Sequence, residues 1–392
     1  MNPSSSGWIK KLESEVVINN RFLSYNMETF YDALRSCGFV YGSNRDVAAQ
    51  VILQNDIKLT EDEICKINLY LALFYTHKNS KVDNDFVKSV IEFYSEINAN
   101  NTSFLSSFLG GNEPREQLEG IIHKRIQIDD NVFTKNFNYF LVNALLYLDV
   151  LGYQKFLEQK ELSASYMKNL EAAIVTISLD VLNSKETKND YDESLMELFE
   201  SSLRYHNTKS LDYKKAIELI VAENEKFYML DLACMATWSD QTIDVGEHAF
   251  LEKLGKDLNL NLSRIHQSIK SINNFYSKHK DSIALFNSKN AVKNFYNNST
   301  SMVNKLITRN RKRLYKELVD SKDLMVLLTQ STVRELNKEE QHKVQEQLLD
   351  IFKSIPSLAI FMLPGGALLL PLVVKFIPKL LPSAFDENRI EK

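Results

Sequence analysis

Between Ser354 and Val374 the chain runs 21 residues without a charged side chain. At about 1.5 Å per helical residue such a run reaches roughly 32 Å, the thickness of a bilayer's hydrocarbon core. Five of the chain's seven prolines, Pro356, Pro364, Pro371, Pro378 and Pro382, lie in or just after it. An interior proline costs a water-exposed helix about 3 kcal/mol, whereas a membrane tolerates the break where protein or water satisfies the freed carbonyl. Pro364, Pro371 and Pro378 recur every seven residues, which places them on nearly one helical face. The carbonyls of Ile360, Ala367 and Val374 on that face then lack helical donors, so it should meet protein or water rather than lipid. Gly365 and Gly366 after Pro364 permit a turn. A single span and a re-entrant pair of half-helices therefore both fit, with Lys375 and Lys379 placed to snorkel to an interface. An apolar hairpin buried in the protein's own body is the third geometry.

Everything before this segment reads as a multi-helical body. Only 11 glycines occur in 392 residues, too few for a sandwich or barrel built on many tight turns, so the fold class is all-α. A net charge of −4 provides no global field to recruit nucleic acid or membrane. Cys37, Cys65 and Cys234 are isolated in sequence, as expected of reduced thiols in a cytosolic body. The start, Met-Asn-Pro-Ser-Ser-Ser-Gly-Trp-Ile-Lys-Lys, has no apolar core of signal-peptide length.

Local patterns place the elements. Thr60 and Glu63 form a capping-box signature ahead of a wide apolar face from Ile64 to Phe74. Asn131 to Leu151 is apolar but interrupted by Asn138, Asn143 and Asp149, which predicts a buried core helix. Asn183 to Asp190 has no apolar residue and reads as a connection. From about Tyr213 the apolar positions predict a long helix ending near Trp238, then a polar turn and a helix through Phe250, Leu251, Leu254 and Leu258. Asn337 to Phe352 reads as a polar helix with Val344, Leu348, Leu349 and Phe352 on one face.

Two clusters carry candidate chemistry. Asp240, Asp244 and Glu247, with His248 four residues after Asp244, supply oxygen and nitrogen donors for a divalent cation. The alternative is that Asp240 or Thr242 caps the next helix while Glu247 satisfies first-turn amides. Lys305, Arg309, Arg311, Lys312, Arg313 and Lys316 form a basic stretch that suits anionic lipid headgroups near the tail, or simply a solvated helix face; nucleic acid is disfavoured. His206, His266, His279 and His342 have no paired ligand spacing and default to the surface. No GxSxG, HExxH, P-loop or GxGxxG motif is present, so no catalytic residue can be nominated.

From Leu349, the residues Leu-Asp-Ile-Phe-Lys-Ser-Ile-Pro, then Phe-Met-Leu-Pro, Leu-Leu-Leu-Pro, Leu-Val-Val-Lys-Phe-Ile-Pro and Leu-Leu-Pro-Ser-Ala-Phe resemble one specific segment. It is the membrane segment of the leucine-zipper and EF-hand transmembrane (Letm) family, mitochondrial inner-membrane proteins linked to cation/proton exchange. The resemblance covers about 40 residues in one register. It departs at Gly365-Gly366-Ala367, where the family carries Phe-Met-Glu, so the acidic residue becomes Ala367. The ribosome-interacting domain that follows in mitochondrial members is expected to be missing. Both departures count against transport. The whole chain resembles bacterial Letm-related proteins described as biofilm-associated more than the mitochondrial members. Separately, the alanine-bearing helix before Trp238 and the turn Ser239 to Glu247 resemble the tellurite-resistance B-like helical domain over about 60 residues. Gln241 stands where that family has a glycine.

Together these imply an N-terminal helical domain over 1–201, a tellurite-resistance B-like domain over 205–282 and a basic helical connector over 283–340. A Letm-like membrane segment over 341–385 and a polar tail over 386–392 follow. The expected function is non-enzymatic: a cytoplasmic body held at a bacterial inner membrane, binding lipid and an unidentified protein partner in a biofilm or envelope process. The alternatives are cation/proton transport by a homo-oligomer of the tail, and a scaffold responsive to a divalent cation at the acidic turn.

Overall fold

The computed structural model describes residues 2–48, 59–97, 113–126, 145–159, 162, 164–188, 192–193, 196–197, 199–200, 211–237, 243–279, 300, 303–304, 306–308, 310–355, 358, 361 and 370–380. The elements among them are α1 (Trp8–Ile18), a 3₁₀ turn (Arg21–Ser24), α2 (Met27–Ser36), α3 (Glu61–Lys78), α4 (Phe86–Ile97), α5 (Pro114–Ile126), α6 (Leu146–Gln159) and α7 (Ala164–Asn183). There follow α8 (Tyr213–Leu219), α9 (Glu223–Thr237), α10 (Val245–Asp257), α11 (Leu262–His279), α12 (Arg311–Val319), α13 (Lys322–Ser331), α14 (Lys338–Ser354) and α15 (Leu370–Leu380). No strand occurs among the described residues, and the fold is all-α.

The capping box predicted at Thr60 is present, with Thr60 accepting from the Glu63 amide and Glu63 accepting from that of Thr60. The helix it starts, α3, is buried nearly all round from Cys65 to Leu73 and packs against α4, α5 and α6. Its end is fixed by Tyr75, whose ring stacks on Phe30 of α2 at 3.7 Å between centroids. α1 has no side-chain cap of its own. Glu119 of α5 supplies one from a distance, accepting from the amides of Gly7 and Ile9 at 2.9 Å. After α2 the chain doubles back at Gly38, where φ is +88° and a Cβ would meet the Ser43 carbonyl oxygen at 1.8 Å, so only glycine fits.

The predicted long helix ending near Trp238 is two helices. Ile220–Ala222 break it, and Glu225 accepts from the amides of Val221 and Ala222 to start α9 at Glu223. α9 packs on α2, α6, α7, α10 and α11. α2 and α7, which precede residue 201, thus pack against α9, which follows residue 205. A buried polar network ties these layers. Asp231 of α9 accepts from the Tyr31 hydroxyl at 2.7 Å and lies 3.5 Å from Arg35 Nη1, which also donates to Ser268 of α11. Arg264 of α11 lies over the Phe227 ring at 3.8 Å and reaches Glu28 and Asp32 of α2.

Cys37, Cys65 and Cys234 are free and buried. Burial pushes the Cys37 thiol up to about 12, which leaves it unreactive at neutral pH.

Candidate functional site

The apolar C-terminal run does not form one 21-residue helix. α14 ends at Ser354, Leu358 and Phe361 sit in 3₁₀ turns, and the next described helix, α15, begins at Leu370. Among the described residues no helix is long and apolar enough to cross a membrane. α15 has 11 residues, about 16 Å, roughly half a hydrocarbon core. Pro371 falls in its first turn, where a missing N–H costs nothing, and only Pro378 lies within the helix. Pro356, Pro364, Gly365, Gly366 and Pro382 lie outside the described residues.

The apolar side chains described in and just after the run are covered by protein. Ile355, Leu358, Phe361, Leu372, Val373, Val374 and Ile377 are buried. α13 packs against α12, α14 and α15, so it forms the centre of a C-terminal helical unit. On α15 the exposed residues are Lys375 and Lys379, one turn apart, with Pro371 and Pro378 half-buried beside them. The two lysines thus mark the solvent side of a helix whose other side is core, rather than the far end of a span. The described residues of the segment thus pack against protein.

α14 delivers that segment. Asn337 and Glu340 form a capping box, Val344, Leu348 and Phe352 are buried as the pattern predicts, and Leu349 is half-buried. Phe352 packs on Phe361 at 5.1 Å between centroids, which folds the chain back just past the helix end. The bidentate Arg334 guanidinium, together with the Asn337 amide, holds the Glu340 carboxyl down at about 2.

The basic stretch is placed on α12. Arg311, Lys312, Arg313 and Lys316 are exposed, opposite buried Leu314 and Leu318. Lys305 and Arg309 lie outside the described residues. Unlike a salt-bridged helix face, α12 carries a single acid, Glu317, among these cations.

At the acidic turn Asp244 is the N-cap of α10, in a capping box with Glu247; neither Asp240 nor Thr242, both outside the described residues, fills that position. Asp244 Oδ1 accepts from the Glu247 amide at 2.7 Å and Oδ2 from the Glu186 amide at 3.1 Å. Burial alone would raise its pKa, but these backbone donors, with that of Gly246, hold the carboxyl below its ordinary value. Glu247 turns back to the Asp244 amide, and His248 points to Glu252 instead. No group of three metal-ligating side chains is gathered for an ion among the described residues. Because the cap is a hydrogen bond to backbone, Asp244→Ala should lower stability by about 1 kcal/mol, whereas Asp244→Asn keeps most of it. Urea unfolding of the two variants measures the difference.

One feature escaped the sequence. A cleft of about 580 Å³ opens between α2, the end of α3, α6 and the start of α9. Phe30, Tyr75, Tyr147 and Leu157 line its floor, with Asn79, Gln154 and Asn224 among its polar residues. Its walls come from four separated helices, so no local pattern announces it.

Residues 336–392 match the family model described as LETM1-like, RBD. The match begins upstream of Leu349 and takes in all of α14 as well as α15. The description is of an RBD, where the sequence pattern alone predicts a membrane segment. The C-terminal unit is thus LETM1-like over its last two helices. A search of curated proteins returns no match, and comparison with solved structures returns none either.

Proposed function

We propose that this is a non-enzymatic, membrane-associated helical protein whose C-terminal unit docks on anionic lipid while the body binds a protein partner. The observation that carries the reading is the pairing, in one C-terminal unit whose last two helices are LETM1-like, of a buried apolar tail with two exposed basic faces. Val373 and Ile377 are shut inside at 0% exposure. Lys375 and Lys379, with Arg311, Lys312, Arg313 and Lys316 on α12, stand in solvent. Such a surface meets a negatively charged membrane first by charge. A tail with no carboxylate between Ser354 and Val374 serves as an anchor better than as a proton path. The family match supports membrane association; a place in biofilm or envelope growth rests on the resemblance alone.

Vesicle flotation tests this. Binding should require anionic lipid and weaken as salt rises. Each basic residue near such a surface contributes about 1 kcal/mol, so replacing Arg311, Lys312, Arg313 and Lys316 by Gln should weaken partition by roughly two to three orders of magnitude. Equal flotation with neutral vesicles would sink the charge-led reading. The same proteoliposomes should show no potassium/proton or calcium/proton exchange above empty vesicles, because a lone tail offers no intramembrane carboxylate. A protein-dependent flux would favour transport by oligomers.

A further inference from the structure

α10 and α11 are joined by a short loop and approach closely. The Leu260 amide donates to the Gly255 carbonyl at 2.9 Å, and Asn259 turns the chain with φ of 57°. A Cβ on Gly255 would meet Ile265 Cδ1 at 2.3 Å, so the glycine is what lets the second helix lie against the first. That approach brings one side chain of α11 to the outer face of α10. Glu252 Oε1 lies 3.9 Å from His248 Nδ1, one turn earlier on its own helix. It lies 3.9 Å from His266 Nε2 of α11 as well.

We propose that His248, Glu252 and His266 form a surface site for a borderline transition-metal cation of the zinc, nickel or copper class. Two imidazoles and one carboxylate are the donor set such ions prefer, while calcium and magnesium require oxygen ligands. In a tetrahedral site with bonds of about 2.0–2.2 Å the donors stand roughly 3.3–3.5 Å apart. The observed 3.9 Å spacings to Glu252 exceed that by about half an ångström, and the three are not gathered around one point. The side chains are 48%, 34% and 62% exposed, so small rotamer changes close the gap without moving either helix. Three protein ligands leave the fourth position for water or a partner's donor. Lys256 Nζ stands 3.8 Å from Glu252 Oε2 and competes with the cation for that carboxylate. The site is separate from the acidic turn, whose carboxylates Asp244 and Glu247 are engaged by backbone amides. It is independent of lipid docking.

Calorimetric titration of the full, tag-free chain with Zn²⁺ tests the site, with Mg²⁺ and Ca²⁺ as controls. One equivalent of Zn²⁺ should bind and the controls should give no heat. His248→Ala, His266→Ala and Glu252→Gln should each weaken Zn²⁺ binding by about tenfold or more, because each removes one of three bonds. Lys256→Gln should tighten it by removing the competing cation. His342→Ala, which removes the histidine of the His342–Glu346 pair on α14, should leave it unchanged. All these side chains are at least a third exposed, so circular dichroism without metal should not change. Absence of saturable Zn²⁺ binding, or binding that survives loss of both His248 and His266, would overturn the proposal.

Discussion

Replacing Asp149 by Ala should destabilise the protein by about 3–5 kcal/mol, because it strands a buried cation. Arg125 of α5 and Asp149 of α6 are 1% and 0% exposed and pair through two hydrogen bonds of 2.6 and 3.0 Å. The Tyr94 hydroxyl of α4 donates to the same carboxylate at 2.9 Å, so one side chain joins three helices around α3. Burial alone would lower the Arg125 pKa, and the Asp149 carboxylate more than reverses that. The guanidinium therefore stays charged and cannot escape the loss of its partner by giving up a proton. Its Nη1 has no hydrogen-bond acceptor among the described residues, so no second group stands ready to compensate. The pair itself is worth much less than the cost of breaking it. A combined Arg125→Met and Asp149→Leu variant should recover most of the stability. Urea unfolding of the single and double variants measures both quantities. A single variant within about 1 kcal/mol of the unmodified chain would mean that water reaches the site.

The role of Asp149 shows where the sequence stopped being readable. Within Asn131–Leu151 the aspartate reads only as an interruption that argues against a membrane span. Its partner lies 24 residues upstream on another helix. The Tyr31–Asp231 bond spans 200 residues, and no period or spacing links its two ends. Local devices were legible by contrast. The Thr60–Glu63 box, the buried α3 and the amphipathic α14 follow from hydrogen-bonding and burial rules that act within one or two turns. The acidic turn was half legible. Its residue types suit a cap or a cation equally, and only the paths of Asp244 and Glu247 back to nearby amides distinguish the two. The His248, Glu252 and His266 group was hidden because it needs the α10–α11 contact over Gly255. For the tail, the sequence established apolarity but not its neighbour, since lipid and a protein core reward the same side chains.

That ambiguity gives the second large effect, and its sign is unusual. Leu328→Asp on the buried face of α13 should increase vesicle binding of this protein, by an order of magnitude or more, while it destabilises the C-terminal unit. Leu328 is fully buried on the helix that packs against both α14 and α15. A carboxylate there must be hydrated, which drives α13 away from its neighbours at a cost of several kcal/mol. Once uncovered, Leu372, Val373, Val374 and Ile377 form an apolar stripe beside Lys375 and Lys379, the pattern of a helix that lies in a membrane interface. In the unmodified chain the membrane competes with α13 for that stripe, so the free energy of release subtracts from binding. The variant removes the competitor, and the same vesicles should capture more protein at equal salt. Flotation alongside a Lys375→Glu and Lys379→Glu control separates release from nonspecific aggregation, because the control should lose binding while keeping the tail folded. If Leu328→Asp binds vesicles no better than the unmodified chain, the stripe is purely structural and docking rests on the basic faces alone.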